Sequence, residues 1–235
     1  MSFNPVFYVT QIAQIANIIS KCSVWDTACV TSLAQTHSTQ IIRNGIDSET
    51  GPLDPMSLRT IEIDDGSFRF TCSDLKVLGL TDSIVETVQF NTQDRTFRMR
   101  SRVPHLSVLG NYTSAGFVDD VPYFGKGKIL AVHNDFVNDL IIKYNVSAGK
   151  DGKNYFDLEN YTYWFETPNS SIDFDGMNTD DVSKACRARE HSNLRITKLW
   201  QQFGRNFFDK FNQSIFEALQ KFFQTKSVDD LLTDY

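Results

Sequence analysis

The chain has 235 residues with 23 basic and 29 acidic side chains, which gives a formal net charge of −6. A chain of this length buries a sizeable core without disulfides or metals, and the lack of a basic block argues against nucleic acid and an anionic membrane surface as partners. No apolar run approaches the roughly 20 residues of a membrane-spanning helix. The 19 phenylalanines suit either an ordinary core or the wall of an apolar cavity.

Two helices are predicted before any strand. Residues 6–20 place apolar side chains at steps of three and four, as on one face of a helix. A second helix is predicted over 26–44, with Asp26 as its N-cap and Gly45 beyond its end. A stretch dense in turn-forming residues follows, up to residue 55.

The middle of the chain changes to a period of two. Apolar and polar residues alternate at 61–64, 68–72 and 97–100, which indicates half-buried antiparallel strands. Further strands are predicted around 75–79, 84–90, 106–117, 128–134, 138–144 and 155–166, with polar loops at 149–153 and 167–183.

The last predicted element is a helix over 194–223, whose apolar residues recur on one wide face without a proline. About 30 residues at a rise of 1.5 Å span roughly 45 Å, enough to run the length of an elongated sheet. Consecutive strands followed by a helix favour an α+β fold over a doubly wound α/β fold.

The sequence offers little catalytic chemistry. It has no GxSxG or HExxH motif, and its four histidines are scattered. The segment 125–128 lacks phosphate-loop spacing, and the acidic stretch 173–181 does not match a calcium loop. We therefore expect no catalytic residue, no metal and no cofactor, although a triad assembled in space would leave no such motif.

The four cysteines, at 22, 29, 72 and 186, allow three ways of forming two disulfides. Cys22 and Cys29 are close enough to close a short loop, and four reduced thiols are the alternative. Because no CxxC pair exists, zinc is disfavoured.

Five Asn-x-Ser/Thr sites favour the secretory route, although the N-terminus itself is a poor signal peptide. A site at Asn212 falls on the predicted helix, where access is poor. The glycosylation candidates are Asn111, Asn145, Asn160 and Asn169.

Five short segments stand in a specific order: CSVWDTAC at 22–29, GI at 45–46, PLDP at 52–55, LGNYTSAG at 109–116 and VPYFGKGK at 121–128. They resemble the insect takeout and juvenile-hormone-binding family, namely its N-terminal disulfide loop, its GIP…PLDP stretch and its Pro-x-x-Gly-x-Gly signature. The resemblance covers about residues 22–223. The Trp-Asp inside the first segment departs from the Asp-Pro that the family often has there.

The resemblance implies an α+β fold, an elongated and highly curved antiparallel sheet wrapped around a long C-terminal helix. One takeout-like domain would cover 1–235, with 1–21 as an N-terminal helical extension and 194–223 as the central helix. An internal tunnel would hold one apolar small molecule: a juvenile-hormone-like terpenoid, a fatty-acid-like lipid or a carotenoid. The protein would be a secreted, monomeric carrier in haemolymph or another extracellular fluid, without nucleic acid or stable membrane insertion.

The resemblance also implies a Cys22–Cys29 disulfide. The remaining two cysteines, Cys72 and Cys186, are predicted to pair, and two buried free thiols are the alternative.

Aromatic and apolar side chains on the inner face of the long helix and at inward strand positions are the candidates for the tunnel wall, and ordinary core packing is the alternative for each. Tyr112, Tyr123 and Trp200 also offer a hydrogen bond to a ligand headgroup, unless those groups serve structural bonds. The full set is Phe68, Phe70, Phe90, Phe97, Met99, Tyr112, Phe117, Tyr123, Phe136, Leu199, Trp200, Phe203, Phe207, Phe211 and Ile215.

Two other functions compete with that of a carrier. The amphipathic segment 6–20 suits a membrane-surface lipid-binding or lipid-transfer protein, although the low positive charge disfavours it. A hydrolase of lipophilic esters is the third possibility.

Overall fold

The computed structural model describes residues 21–47, 51–195, 200 and 204–235, so the helix predicted at 6–20 lies outside it. The described chain begins with strand β1 (Cys22–Ser23), which pairs in parallel with a short strand near the C-terminus. None of the helices in these ranges combines the length and apolar character that crossing a membrane requires.

Helix α1 (Thr27–Asn44) confirms the second predicted helix. The Asp26 carboxylate accepts a hydrogen bond from the backbone N–H of Cys29, 3.0 Å away, and so caps the first turn. At the other end Gly45 has a φ of 75°, which a residue with a side chain rarely adopts. A disulfide between Cys22 and Cys29 ties β1 to this helix, as the resemblance implies.

One antiparallel sheet dominates the described residues. Its strands are β2 (Met56–Leu58), β3 (Ile61–Asp64), β4 (Phe68–Leu78), β5 (Ile84–Asn91), β6 (Thr96–Val118), β7 (Val121–Pro122), β8 (Gly125–Ala148), β9 (Asn154–Glu166) and β10 (Asn169–Phe174). The order across the sheet is β10-β8-β6-β4-β2, with β3 on β4, β5 and β7 on β6, and β9 on β8. The predicted loop over 167–183 is therefore partly wrong, because β10 pairs with β8 there.

Strands β6 and β8 are the spine of the sheet, and each merges two strands that were predicted separately. Their pairing is continuous through Val103 opposite Phe136 and His105 opposite Asn134. Between these pairs lies Pro104, which has no N–H to donate, and across from it Asp135 has a φ of 56°. On the other side of β6 the neighbour changes here from β5 to β4.

The buried face changes parity at the same place. Before Pro104 the inward residues of β6 are odd-numbered, such as Phe97 and Val103, whereas after it they are even-numbered, such as Leu106 and Val108. Side chains alternate strictly along a regular strand. The irregularity at the centre of the spine therefore shifts the set of inward-facing residues by one position. The sheet therefore keeps an apolar inner face along its whole length.

After the sheet come α2 (Val182–Leu194) and α3 (Arg205–Thr225). The predicted start of the long helix at 194 is wrong, because Leu194 is the last residue of α2 and is 77% exposed. The N–H of Gly204 bonds to the carbonyl of Trp200, and that of Phe208 to Gly204, so helical bonding extends back from α3. A short helix α4 (Val228–Leu231) and strand β11 (Leu232–Thr233), the partner of β1, end the chain.

The predicted Cys72–Cys186 disulfide is wrong, because both cysteines are free thiols. Cys72 lies on β4 with its side chain in the core, whereas Cys186 is exposed on α2. The buried face of α2 carries Ala188 and Ser192. Cys186 precedes Ala188 by two residues, about 200° around a helix, and so points away from the sheet.

The core forms two apolar clusters that α3 joins. One contains Phe207, Phe208 and Phe211 with the β4 side of the sheet, and the other contains Phe216 and Phe222 with α1 and β5. Ile215 packs against both clusters. The aromatic helix therefore lies along the inner face of the sheet and spans both halves.

The GKG segment that begins β8 owes its glycines to a close approach of two backbones. A Cβ at Gly127 would lie 2.1 Å from the carbonyl oxygen of Asp175, and one at Gly125 would lie 2.4 Å from that of Gly176. Any larger residue would push the 175–177 turn away from the sheet. The glycines of this segment thus have a structural role.

Candidate functional site

Apolar cavities lie between α3 and the inner face of the sheet, and three of them lie in a row. The first cavity, of about 110 Å³, lies beside Phe207. The middle cavity, of about 90 Å³, lies beside Phe211 and Ile215. The third cavity, also of about 90 Å³, lies beside Phe222 and Phe223. They follow one another along the helix.

The first cavity is enclosed by β3, β4, β6, β8 and β10. Its wall is almost entirely apolar, and the polar side chains that reach it are Ser192, Tyr123 and Trp200. The predicted residues that line it are Phe68, Phe70, Tyr123, Trp200 and Phe207.

The middle cavity extends from the PLDP segment to α3, and its wall includes Leu53 and Met56. Asn138 and Ser101, which face each other across β8 and β6, also reach it. The predicted residues that line it are Met99, Phe136, Phe211 and Ile215.

The third cavity is lined by the candidates Phe90, Phe97 and Met99, and a large share of its wall comes from α1. No residue of that helix was among the candidates. A signal was present, because Val30, Leu33, Ala34, His37 and Ile41 follow helical spacing. They form the inward stripe of α1.

Two candidates line none of these cavities. Tyr112 is buried, but its side chain packs between Phe70 and Phe174. Phe117 is 51% exposed and packs against Phe124 outside the sheet, so its predicted inward orientation is wrong. Tyr112 and Phe117 are an odd number of residues apart on one strand and face opposite sides. Leu199 and Phe203 lie outside the described residues.

The hydroxyl groups of Tyr112 and Tyr123, which were candidates for bonding a ligand headgroup, already make hydrogen bonds within the protein. The hydroxyl of Tyr112 donates to the carbonyl of Asp175 at 2.9 Å, and burial with the nearby Asp175 raises the pKa of Tyr112 to about 12. The Tyr123 hydroxyl lies 2.9 Å from Ser192 Oγ and 3.1 Å from the Ala188 carbonyl oxygen. The indole Nε1 of Trp200, in contrast, is buried without a hydrogen-bond partner among the described residues.

His133 lies beside the first cavity, next to Trp200. Its Nδ1 is 2.7 Å from Ser170 Oγ, and its ring meets that of Trp200 at a centroid distance of 4.6 Å. Burial lowers the pKa of His133 to about 4, so the imidazole is neutral at neutral pH. No carboxylate of the described residues bonds to its Nε2, so this Ser–His pair lacks the third group that orients the base in a triad. No three His, Cys, Asp or Glu side chains of the described ranges come together as a metal site.

The Asn-x-Ser/Thr sites differ in access. Asn160 and Asn169 are exposed, and Asn111 and Asn145 are partly exposed with bonded side-chain amides. Asn212 is 0% exposed. Whether any of the four candidates carries a glycan stays a prediction.

Comparison with known proteins shows which family and which solved structure this chain is similar to. The family model described as "Haemolymph juvenile hormone binding protein (JHBP)" matches residues 5–233. The crystal structure of Epiphyas postvittana Takeout 1 matches with a TM-score of 0.84 and 18% sequence identity, over 91% of this chain and 99% of that one. Among curated proteins there is no match.

Proposed function

Since the chain belongs to the haemolymph juvenile hormone binding protein family, we propose that it carries one apolar small molecule inside the cavities along α3. The observation that carries this proposal is the row of three cavities with apolar walls between the aromatic helix and the sheet. Members of this family are binding proteins, and a hydrophobic ligand is what the family suggests. A juvenile-hormone-like terpenoid, a fatty-acid-like lipid and a carotenoid are the ligand classes proposed.

The energetics of such binding need no reactive group. An apolar chain that buries about 300 Å² gains roughly 7 kcal/mol at 25 cal/mol per Å², before the entropy of association is subtracted. Small shifts of the side chains between cavities join them into one tunnel for an extended molecule. The proposed carrier function thus depends on the apolar space that the packing along α3 leaves open.

We also propose that the protein is secreted and acts as a monomer in an extracellular fluid. The Cys22–Cys29 disulfide supports an oxidising compartment. The exposed sites at Asn160 and Asn169 fit passage through the secretory route.

Filling the first cavity tests the carrier function. Ala131 faces that cavity and is 1% exposed, whereas Ala115 lies on the same sheet and is exposed. We expect Ala131→Phe to weaken binding of the fluorescent apolar probe N-phenyl-1-naphthylamine at least tenfold, because the ring occupies the cavity. Ala115→Phe, the matched control, leaves binding unchanged.

Two results would overturn the proposal. One is wild-type protein that shows no saturable probe binding. The other is strong co-sedimentation with liposomes together with equal probe binding by both variants, which would favour a lipid-binding protein of the membrane surface. Native mass spectrometry and an absorbance spectrum of protein purified from its source then distinguish a coloured carotenoid from a colourless terpenoid or lipid.

A further inference from the structure

A buried chain of amides crosses from the sheet to α3 beside the middle cavity. Asn212 of α3 is fully buried and donates from Nδ2 to the carbonyl oxygen of Phe208, 2.9 Å away. Asn138 of β8 is 2% exposed and donates from Nδ2 to Asn212 Oδ1 at 2.7 Å. The bond from Asn138 joins the sheet to the helix, and the bond from Asn212 to Phe208, within the helix, holds the Asn212 amide in place.

The chain of bonds fixes which way each amide points. The carbonyl of Phe208 only accepts, so Asn212 must turn its NH₂ group toward it and its oxygen toward Asn138. That oxygen in turn requires a donor, so Asn138 must present its NH₂ group to Asn212. The oxygen of Asn138 is therefore the atom left over, and it accepts no hydrogen bond from any residue that the structure describes.

The cavity that Asn138 lines favours a neutral ligand over a charged one. Asn138 lines the middle cavity, and its cross-strand neighbour Ser101 lines it as well. The other described residues of the wall are apolar apart from Ser38 and Ser83, and none is Lys, Arg or His. A carboxylate would meet an acceptor oxygen and no cation, whereas a neutral O–H would donate to that oxygen. A buried acceptor without a donor is costly, so a ligand that supplies one is favoured over an apolar ligand of the same shape.

We propose that the Asn138 side chain is a polar subsite for the hydroxyl of a lipophilic alcohol, which deepens the carrier function and rests on it. The alcohol donates its O–H to Asn138 Oδ1 from within the middle cavity, while its apolar chain extends along α3. The protein thereby discriminates a neutral alcohol from a hydrocarbon, an ether or an ionised fatty acid of similar length.

A matched pair of ligands tests this subsite. Farnesol and farnesyl methyl ether share one C15 chain, but only farnesol has a proton to donate, and both are measured by displacement of N-phenyl-1-naphthylamine. Water solvates the alcohol better than the ether, so a wall without a partner would prefer the ether. We expect wild-type protein to prefer farnesol by about tenfold, the range of one buried hydrogen bond.

The variant that removes the acceptor is Asn138→Leu with Asn212→Leu, because deleting both amides together leaves neither of them unpaired. We expect its preference to reverse in favour of the ether. The control is Ser214→Ala on the same helix, which lines none of the three cavities and whose hydroxyl donates to the carbonyl of Lys210. It should keep the preference for farnesol.

The outcomes separate the subsite from the carrier function. Equal binding of the two ligands by wild type, or a preference for farnesol that survives in the double variant, would sink the subsite while probe displacement still supports a carrier. A water molecule held by Asn138 would produce the former result. No displaceable probe binding at all would overturn both proposals. The comparison of the two ligands on wild-type protein tests the subsite even if the double variant does not fold.

Discussion

The imidazole of His133 is enclosed by aromatic rings on several sides. Besides Trp200, the rings of Phe136 and Phe208 lie within 6.2 Å of it, and Ser170 holds its Nδ1. A protonated imidazole in this place would lose most of its hydration. The packing of this half of the core therefore favours the neutral form of His133.

This burial predicts a pH-dependent stability. The pKa of His133 is about 4 in the folded protein and about 6.5 in an unfolded chain, so the unfolded state binds more protons between these values. The free energy of unfolding should fall as the pH falls from about 6.5 to 4, by about 3 kcal/mol in total. Urea unfolding at several pH values measures it.

Substitutions assign the effect to one residue. His133→Gln should flatten the slope over this range, while the exposed His105→Gln should leave it in place. The burial-lowered pKa of His37 contributes in the same direction and persists in both variants. A slope unchanged by His133→Gln would contradict the prediction.

At the scale of elements, the two free cysteines differ in reactivity because one lies on the buried face of a strand and the other on the exposed face of a helix. Cys72 points from β4 into the first cavity, where burial raises the pKa of its thiol to about 12. Cys186 lies on the exposed face of α2. Since the thiolate is the reactive form, the two thiols should differ greatly in rate.

Thiol titration under non-reducing conditions tests this arrangement. We expect one thiol per chain to react with Ellman's reagent in the native protein, and a second to react after denaturation. Cys186→Ala removes the fast reaction, and Cys72→Ala leaves it. A denatured chain without any reactive thiol would restore the Cys72–Cys186 disulfide that the structure contradicts.

The two long strands show where pattern analysis stops. Alternation predicted the pieces of β6 at 97–100 and 106–117, and those of β8 at 128–134 and 138–144. It did not join them, because Pro104 and Asp135 interrupt both patterns at once. The inward orientation expected for Phe117 also failed, because the inward residues beyond the interruption are even-numbered and Phe117 faces outward. Pairing between the two strands corrects both errors.

At the scale of the whole molecule, α3 connects two apolar clusters and forms one side of all three cavities. Phe211 belongs to the middle cavity, and its ring stacks on that of Phe207 in the first, 6.1 Å between centroids. The stacked rings therefore lie where the two cavities adjoin. The wall between the two cavities thus includes these side chains, and we expect that shortening one of them enlarges the apolar space.

Phe211→Ala should remove part of that wall. We expect a loss of about 3–5 kcal/mol in the free energy of unfolding, since a fully enclosed aromatic ring is deleted. Long-chain apolar probes should bind more tightly relative to short ones, because the first and middle cavities merge. Urea unfolding and probe displacement measure the two effects.

Phe117→Ala is the matched control for this change. It deletes the same side chain from the outer face, where the ring is half exposed, and should cost far less stability without changing the preference for probe length. An equal loss of stability in the two variants would contradict the assignment of Phe211 to the interior.

The sequence by itself determined the α+β class, helix α1 with its cap, most strand positions and the aromatic face of α3, because each follows from local periodicity or local hydrogen bonding. It also carried, through its ordered motifs, the family and the Cys22–Cys29 disulfide. The tertiary structure decided the continuity of β6 and β8, the separation of Cys72 from Cys186 and the contribution of α1 to a cavity. It also decided that the side-chain oxygen of Asn138 accepts no hydrogen bond from the described residues. Each of these depends on which residues distant in the chain meet, and that choice is made by packing, which no local pattern records.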